Sequence, residues 1–391
     1  GFLCREGARE IPGGGASEVM MEVPDTLSAL GDLANFWRRR LSARVIAITG
    51  SAGKTTTKEM LAGILELARP TLKTSGNFNN LVGLPLTIFR LRPHHDLAVL
   101  ELGMNQRGEI RRLTRIAEPD IGLITNVGPA HLENLKSLEM IREEKGDLFR
   151  YMSKDGIAII NRDDEAIRII ERSWSGRRVT FGLGGVADVT ASDIVPAGNQ
   201  GADFLLRIGQ EARGVRLSVT GMHNVRNALA AAACAWACGI ELEMICRGLS
   251  GFVAGVGRFC VSRLAGGSFL IDDSYNANPS SMREAIETIA SLKGAHQTIA
   301  VLGDMLELGD EAEGYHEATG FLAGQRRLDA LLLKGEFGRT VAAGALRGGV
   351  AADRIFFFDD PAEAVGQLKR LLRSGDWVLV KGSRRMRLES V

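Results

Sequence analysis

The sequence predicts an α/β protein with two bodies, each built on a mostly parallel sheet, and three observations predict it. Apolar runs rich in Val, Ile and Leu recur, most of them closed by Gly, Asn or Asp: Arg44–Thr49, Leu97–Leu102, Ile121–Asn126, Gly156–Asn161, Ser268–Asp272, Thr298–Gly303, Ala330–Lys334, Arg354–Asp359 and Trp377–Lys381. Most are uninterrupted rather than alternating, which fits strands covered on both faces. Helical periodicity separates several of them, at Thr55–Ala68, Leu138–Tyr151, Pro279–Leu292, Tyr315–Leu322 and Pro361–Leu372, and strand–helix alternation selects right-handed crossovers. The third observation is a Gly-rich break at Gly251–Arg258, after which a fresh alternation begins.

Length and composition fit this. At roughly 150 residues per domain, the 391 residues make two or three domains. With 45% apolar and 24% charged residues the chain reads as a soluble globular protein, not a collagen, a disordered tract or a disulfide scaffold. The 48 Lys+Arg against 47 Asp+Glu leave a net charge of +1, so there is no global basic field and nucleic acid is not expected as a partner. Five cysteines without a CxxC pair read as thiols in a reducing compartment, which points to the cytoplasm. No apolar run reaches the roughly 18 residues of a membrane span. The opening Gly-Phe-Leu-Cys has neither Met nor signal peptide, and suggests that the sequence begins inside a longer chain. The expected domains are 1–43, a remnant or linker with one helix around Leu27–Arg40; 44–258; and 259–391. Within the second, Asp188–Thr220 reads as short edge hairpins, followed by an Ala-rich helix at Asn224–Cys238.

The sharpest chemical signal is Thr49-Gly50-Ser51-Ala52-Gly53-Lys54-Thr55-Thr56, which follows a strand and opens a helix. Glycines let backbone N–H groups close around phosphate oxygens, and the helix N-terminus adds its positive end. In this short phosphate-binding loop, Lys54 would reach the β- and γ-phosphates and the Thr55 hydroxyl would hold Mg²⁺. Glu101 ends the run Leu97–Leu100, where a second Mg²⁺ ligand belongs beside such a loop; a solvated strand-end acid is the competing reading. His131 lies just past a third strand end, in Thr125-Asn126-Val127-Gly128-Pro129-Ala130-His131, as a structural residue or a ligand. Lys145 alone is one more helix lysine. Asn224 and Asn227 open the Ala-rich helix, where capping accounts for only one of them. Asp272–Pro279 holds more polar residues than a turn needs, and Lys381-Gly382-Ser383-Arg384 is an anion site or a basic turn.

Together these segments resemble the Mur ligase family of ATP-dependent amide-forming enzymes. The resemblance rests on the phosphate loop, on Gly76-Asn77-Phe78-Asn79-Asn80 with Gly83-Leu84-Pro85-Leu86-Thr87, on Glu101-Leu102-Gly103-Met104-Asn105 and on Asp273-Ser274-Tyr275-Asn276-Ala277-Asn278-Pro279. These run in the family order from about Pro24 to the C-terminus. The resemblance implies a central P-loop mononucleotide-binding domain that takes ATP. It also implies a C-terminal Rossmann-like domain that brings the amine, and an N-terminal UDP-binding module of which the first 43 residues hold too little. The second motif and the last two look like the members that join D-alanyl-D-alanine to UDP-N-acetylmuramoyl-tripeptide in cell-wall synthesis. By carry-over, Gly50, Ser51, Ala52, Gly53, Lys54, Thr55 and Thr56 cradle phosphate. Thr55 and Glu101 hold one Mg²⁺, and His131 with a carbamylated Lys145 serve a second. Asn224 and Asn227 lie near the adenine, Arg258 reaches the γ-phosphate, and Asp273 meets the ribose. Asn79, Asn80, Asn276, Asn278, Lys381 and Arg384 fall on the substrate side.

The implied reaction phosphorylates the tripeptide carboxylate to an acyl phosphate, which the dipeptide amine attacks. Lys54, Lys145, Arg258 and His131 are its expected catalytic residues, in a monomer. Three alternatives stand beside it. They are another family member such as a folylpolyglutamate synthetase, a P-loop NTPase without ligation, and a fragment that only binds nucleotide.

Overall fold

The computed structural model describes residues 2–5 and 20–391. The apolar runs form two sheets. In the larger, five parallel strands lie in the order Ile157–Asn161, Ile121–Ile124, Arg44–Thr49, Leu97–Glu101 and Thr71–Lys73. Arg177–Gly182 continues the sheet beside Ile157–Asn161, and Val189–Pro196 pairs parallel to it. Ala202–Ile208 and Glu211–Leu217 then close that edge as antiparallel hairpins. The central strands are apolar on both faces because helices cover both: Lys54–Glu66 and Met222–Ala237 on one side, Glu109–Ala117 and Leu138–Tyr151 on the other.

The second sheet has the order Cys260–Arg263, Phe269–Asp273, Trp377–Lys381, Thr298–Gly303, Ala330–Lys334 and Ile355–Phe357, parallel except at its first strand. Register matters here, because Asp273 stands directly opposite Lys381 at the carboxyl ends of their strands. In the larger sheet Ile48 stands opposite Glu101 and Thr49 opposite Ile124. Three strand ends of the first sheet and two of the second therefore open toward one crevice.

The helix expected around Leu27–Arg40 runs over Thr26–Arg38 and is bolted to the first body: Asn35 donates to Arg115 O at 3.0 Å, Trp37 Nε1 to Leu91 O at 3.2 Å and Arg38 Nε to Ala117 O at 3.2 Å. The stretch after Ala330–Lys334, given no helix from sequence, forms Gly338–Gly348. Its glycines allow close approach, since a Cβ on Gly344 would sit 2.0 Å from Glu317 O in the facing helix Ala312–Gln325.

Candidate active site

One cavity of about 720 Å³ lies between the two sheets, lined from both. Its floor is the phosphate loop. Gly53 takes φ +79°, and a Cβ there would lie 2.4 Å from Asn227 Oδ1. The loop is held open by its neighbours. Ser51 Oγ donates to Gly128 O at 2.7 Å, Thr125 Oγ1 to Ala52 O at 2.6 Å, and Ala52 N to Asn126 Oδ1 at 2.8 Å. Gly53→Ala is expected to cost about 1–3 kcal/mol from its backbone strain, read as a lowered denaturant midpoint with no change in slope.

Lys54 reaches back to Gly50 O at 2.6 Å. Burial holds its ammonium below the usual lysine range; Glu101 pulls it back up while Arg258 pushes it further down. Thr55 Oγ1 donates to Glu101 Oε2 at 2.9 Å, and Asn79 Nδ2 donates to Glu101 Oε1 at 2.9 Å. A hydroxyl beside a fixed carboxylate is a hard-oxygen donor set of the kind Mg²⁺ accepts, with phosphate and water completing its shell. Thr55 and Glu101 thus fit the first expected ion. Among the described residues no three His, Cys, Asp or Glu side chains cluster as a metal cage.

The pair expected at a second ion does not fit as it stands. Lys145 is 1% exposed and is absent from the cavity lining, because the Met104 thioether covers its Nζ at 3.9 Å. Its neighbour Glu144 is already spent on Gly108 N (2.8 Å) and Ile110 N (2.9 Å). Burial, followed by the charge of Lys54, pushes the Lys145 ammonium well below its usual range. An ammonium there repels a metal ion, and only an anionic derivative would attract one. His131 does line the cavity. Its Nδ1, however, meets Glu307 Oε2 at 2.5 Å, a contact from the second body that lowers the Glu307 pKa. Gly50 also lies outside the lining; a Cβ on it would strike Thr125 Oγ1 at 1.8 Å, so it serves the turn.

Asn224 and Asn227 line the cavity but are tied locally, Asn224 Nδ2 to Thr220 O at 2.8 Å and Asn227 Oδ1 to Thr57 Oγ1 at 3.3 Å. His223, one residue earlier, was missed. Burial, then Lys381 and Arg226, pushes its pKa down to about 3, so it is neutral.

The opposite wall comes from the second sheet. Lys381, 1% exposed, pairs with Asp273 and donates to Asn276 O at 3.0 Å. Sequence reasoning gave Asp273 and Lys381 to different substrates, whereas their register makes them one ion pair. Burial raises the Asp273 pKa against the pull of Lys381 and Arg258. Asn278, expected on the substrate side, caps the helix Pro279–Leu292 by accepting from Ser281 N at 2.9 Å, and donates to Ser51 O at 3.2 Å. Asn80 likewise spends its side-chain oxygen on Gly83 N at 2.8 Å. Both still line the cavity, as do Thr56, Asn276 and Arg384. Arg258 lies 4.0 Å from the Tyr275 ring centroid and Arg384 5.8 Å. Tyr275 was inside the quoted motif but had no role assigned.

Comparison with known proteins agrees with this arrangement. Residues 48–235 match the Mur ligase middle domain, and residues 257–384 match the Mur ligase glutamate ligase domain. The chain is 37% identical over 383 residues to the UDP-N-acetylmuramoyl-tripeptide–D-alanyl-D-alanine ligase of Bacillus subtilis, covering 98% of this chain and 82% of that one. It superposes on a crystal structure of MurF from Acinetobacter baumannii with TM-score 0.86 at 36% identity, over 95% of this chain and 80% of that one. MurF ligase from Thermotoga maritima in complex with ADP gives TM-score 0.86 at 29% identity, over 97% and 85%. With both bodies matched and the cavity formed between them, the chain belongs to the Mur ligase family.

Proposed function

We propose that the protein is an ATP-dependent ligase that joins D-alanyl-D-alanine to UDP-N-acetylmuramoyl-tripeptide, releasing ADP and phosphate. One observation carries the reading: a phosphate loop with its Thr55–Glu101 pair faces, across a single cavity, an amine-side wall built on Asp273, Lys381 and Arg384. The relatives named for this reaction support it. In this reading residues 44–258 take the nucleotide and 259–391 bring the amine.

A carboxylate does not react with an amine because oxide is a poor leaving group. Transfer of the γ-phosphoryl group makes an acyl phosphate, and phosphate then leaves as the amide bond forms. The amine loses one proton before attack and a second as the C–N bond matures; the departing phosphate can carry one of them. The residues mainly position groups and neutralise charge. Lys54 swings from Gly50 O to the terminal phosphates. Arg258, held over Tyr275, offsets the repulsion between nucleotide and carboxylate. Thr55 and Glu101 would hold Mg²⁺, which supplies further neutralisation of the triphosphate. A carbamate formed on Lys145, N–H exchanged for N–COO⁻ by CO₂ with loss of a proton, would turn the buried cation into the anion a second ion needs. Asn278 ties the amine-side helix to the phosphate loop and helps keep water off the acyl phosphate.

The test is ADP release with each substrate withheld in turn. Rapid release that requires ATP, the tripeptide nucleotide and D-alanyl-D-alanine together is expected. Hydrolysis indifferent to both acceptors would make the protein a simple P-loop NTPase. Turnover with folate and glutamate in their place would move it to folylpolyglutamate synthesis.

A further inference from the structure

Lys58 is one of the buried charges that the proposed reaction leaves unused. It is 0% exposed and is among the largest fully buried side chains of the described residues. It follows Lys54 by one helical turn, on the side of the helix shared with the buried Leu61 and Leu65. A buried ion pair is weak evidence for stability, since apolar residues of similar volume commonly replace one at no cost. Packing alone therefore gives no reason for an ammonium at this position.

Its contacts give one. Lys58 Nζ donates to Thr74 O at 2.8 Å, pairs with Glu59 Oε1 at 2.8 Å and lies 3.9 Å from Glu101 Oε2. Thr74 Oγ1 accepts from Glu101 N at 3.0 Å. Thr74 also begins the loop that ends in Asn79 and Asn80, and Asn79 donates to the other oxygen of Glu101. Lys58 thus faces the Glu101 carboxylate at ion-pair distance and reaches its backbone through Thr74. It also anchors the root of the loop whose tip grips the same carboxylate. Both Glu101 oxygens are held, and Lys58 belongs to each path.

We propose that Lys58 is a positioning residue that locks the Thr74–Asn80 loop and the Glu101 carboxylate into one unit, aimed at Thr55 before nucleotide and metal arrive. The proposal rests on the ligase reading, in which Thr55 and Glu101 form the Mg²⁺ site. A network in which each polar atom is satisfied specifies one arrangement, and a carboxylate fixed in advance spends no free energy on ordering when the ion binds.

The experiment measures ADP binding by calorimetry in EDTA and in saturating Mg²⁺, on wild type, Lys58→Met and Glu59→Gln. Lys58→Met is expected to bind ADP in EDTA within about twofold of wild type, yet to lose on the order of tenfold of the affinity that Mg²⁺ adds. Glu59→Gln cuts the ion pair but leaves Lys58 on Thr74 and Glu101, so it should keep that gain. In the metal-free protein, amide exchange across Thr74–Asn80 should quicken in Lys58→Met and not in Glu59→Gln. An unchanged gain would overturn the proposal. So would a larger gain, which would make Lys58 a competing charge, or an equal loss in Glu59→Gln. Should Lys58→Met fail to fold, Thr74→Val removes only the hydroxyl that holds Glu101 N. It is expected to reproduce the lost gain and the faster exchange, and the proposal fails if it does neither. A wild-type protein whose ADP affinity ignores Mg²⁺ would instead sink the ligase reading itself.

Discussion

Lys54→Ala is expected to lower turnover by about 10³-fold or more, the scale on which a preorganised charge-stabilising group is felt, while the protein stays folded. The two halves of this expectation have separate causes. The fold loses only one hydrogen bond, from Nζ to Gly50 O, and is relieved of a cation that burial and Arg258 both disfavour. Thermal stability should hold or rise slightly. The reaction loses the cation that the phosphate loop itself carries, and no neighbour replaces it. Arg258 is stacked on Tyr275, and Lys58 is sealed beneath Glu101. Lys54→Arg should be nearly as poor, because a planar guanidinium does not reproduce a compact point charge in a loop closed around Gly50 and Gly53. Phosphate release under saturating substrates, beside a melting curve for each variant, checks both halves. Wild-type turnover in Lys54→Ala would remove the phosphate-cradle assignment. Loss of the fold would show that Lys54 is structural.

How much of this was legible follows from what each signal depends on. Strand ends and the phosphate loop are local: an apolar run closed by Gly-Ser-Ala-Gly-Lys-Thr states both the element and its chemistry. The hairpin edge was readable in the same way, from alternation between Val189 and Leu217. Helix Gly338–Gly348 was not, because Gly reads as a breaker until a facing helix makes its small size the reason for its presence. At the site, residue types were legible but partners were not. Asp273 and Lys381 are 108 positions apart, and only sheet register makes them a pair. Asn80 and Asn278 look like recognition residues in a motif, yet Asn278 caps the start of a helix and Asn80 accepts from the first residue of another. Lys58 escaped notice because a lysine one turn into a helix looks solvated. Burial is a property of the folded sheet above it, and no local pattern carries it.

Lys145 is where sequence resemblance and physical chemistry make the same demand by different routes, so its substitution is the more searching experiment. Lys145→Ala is expected to lose about 10²–10³-fold of turnover and to regain part of it in formate or acetate. The Lys145 nitrogen lies against a thioether, and the neighbouring Glu144 carboxylate, which favours the ammonium, accepts from two backbone N–H groups rather than from Lys145. With its ammonium destabilised by burial and by Lys54, the amine is available in the neutral form that attacks CO₂. A carbamate formed there would give the site a carboxylate without a carboxylic residue, and a small free acid entering the space that Ala leaves would supply the same charge. Rescue should therefore follow the anion: formate and acetate restore activity, while ethylamine, which matches the lost amine, does not. Labelled bicarbonate should give a carbamate carbon signal in wild type that is absent from Lys145→Ala. Rescue by the amine alone, or a wild-type protein fully active after CO₂ is stripped with no carbamate signal, would mean that the buried ammonium itself is the working group.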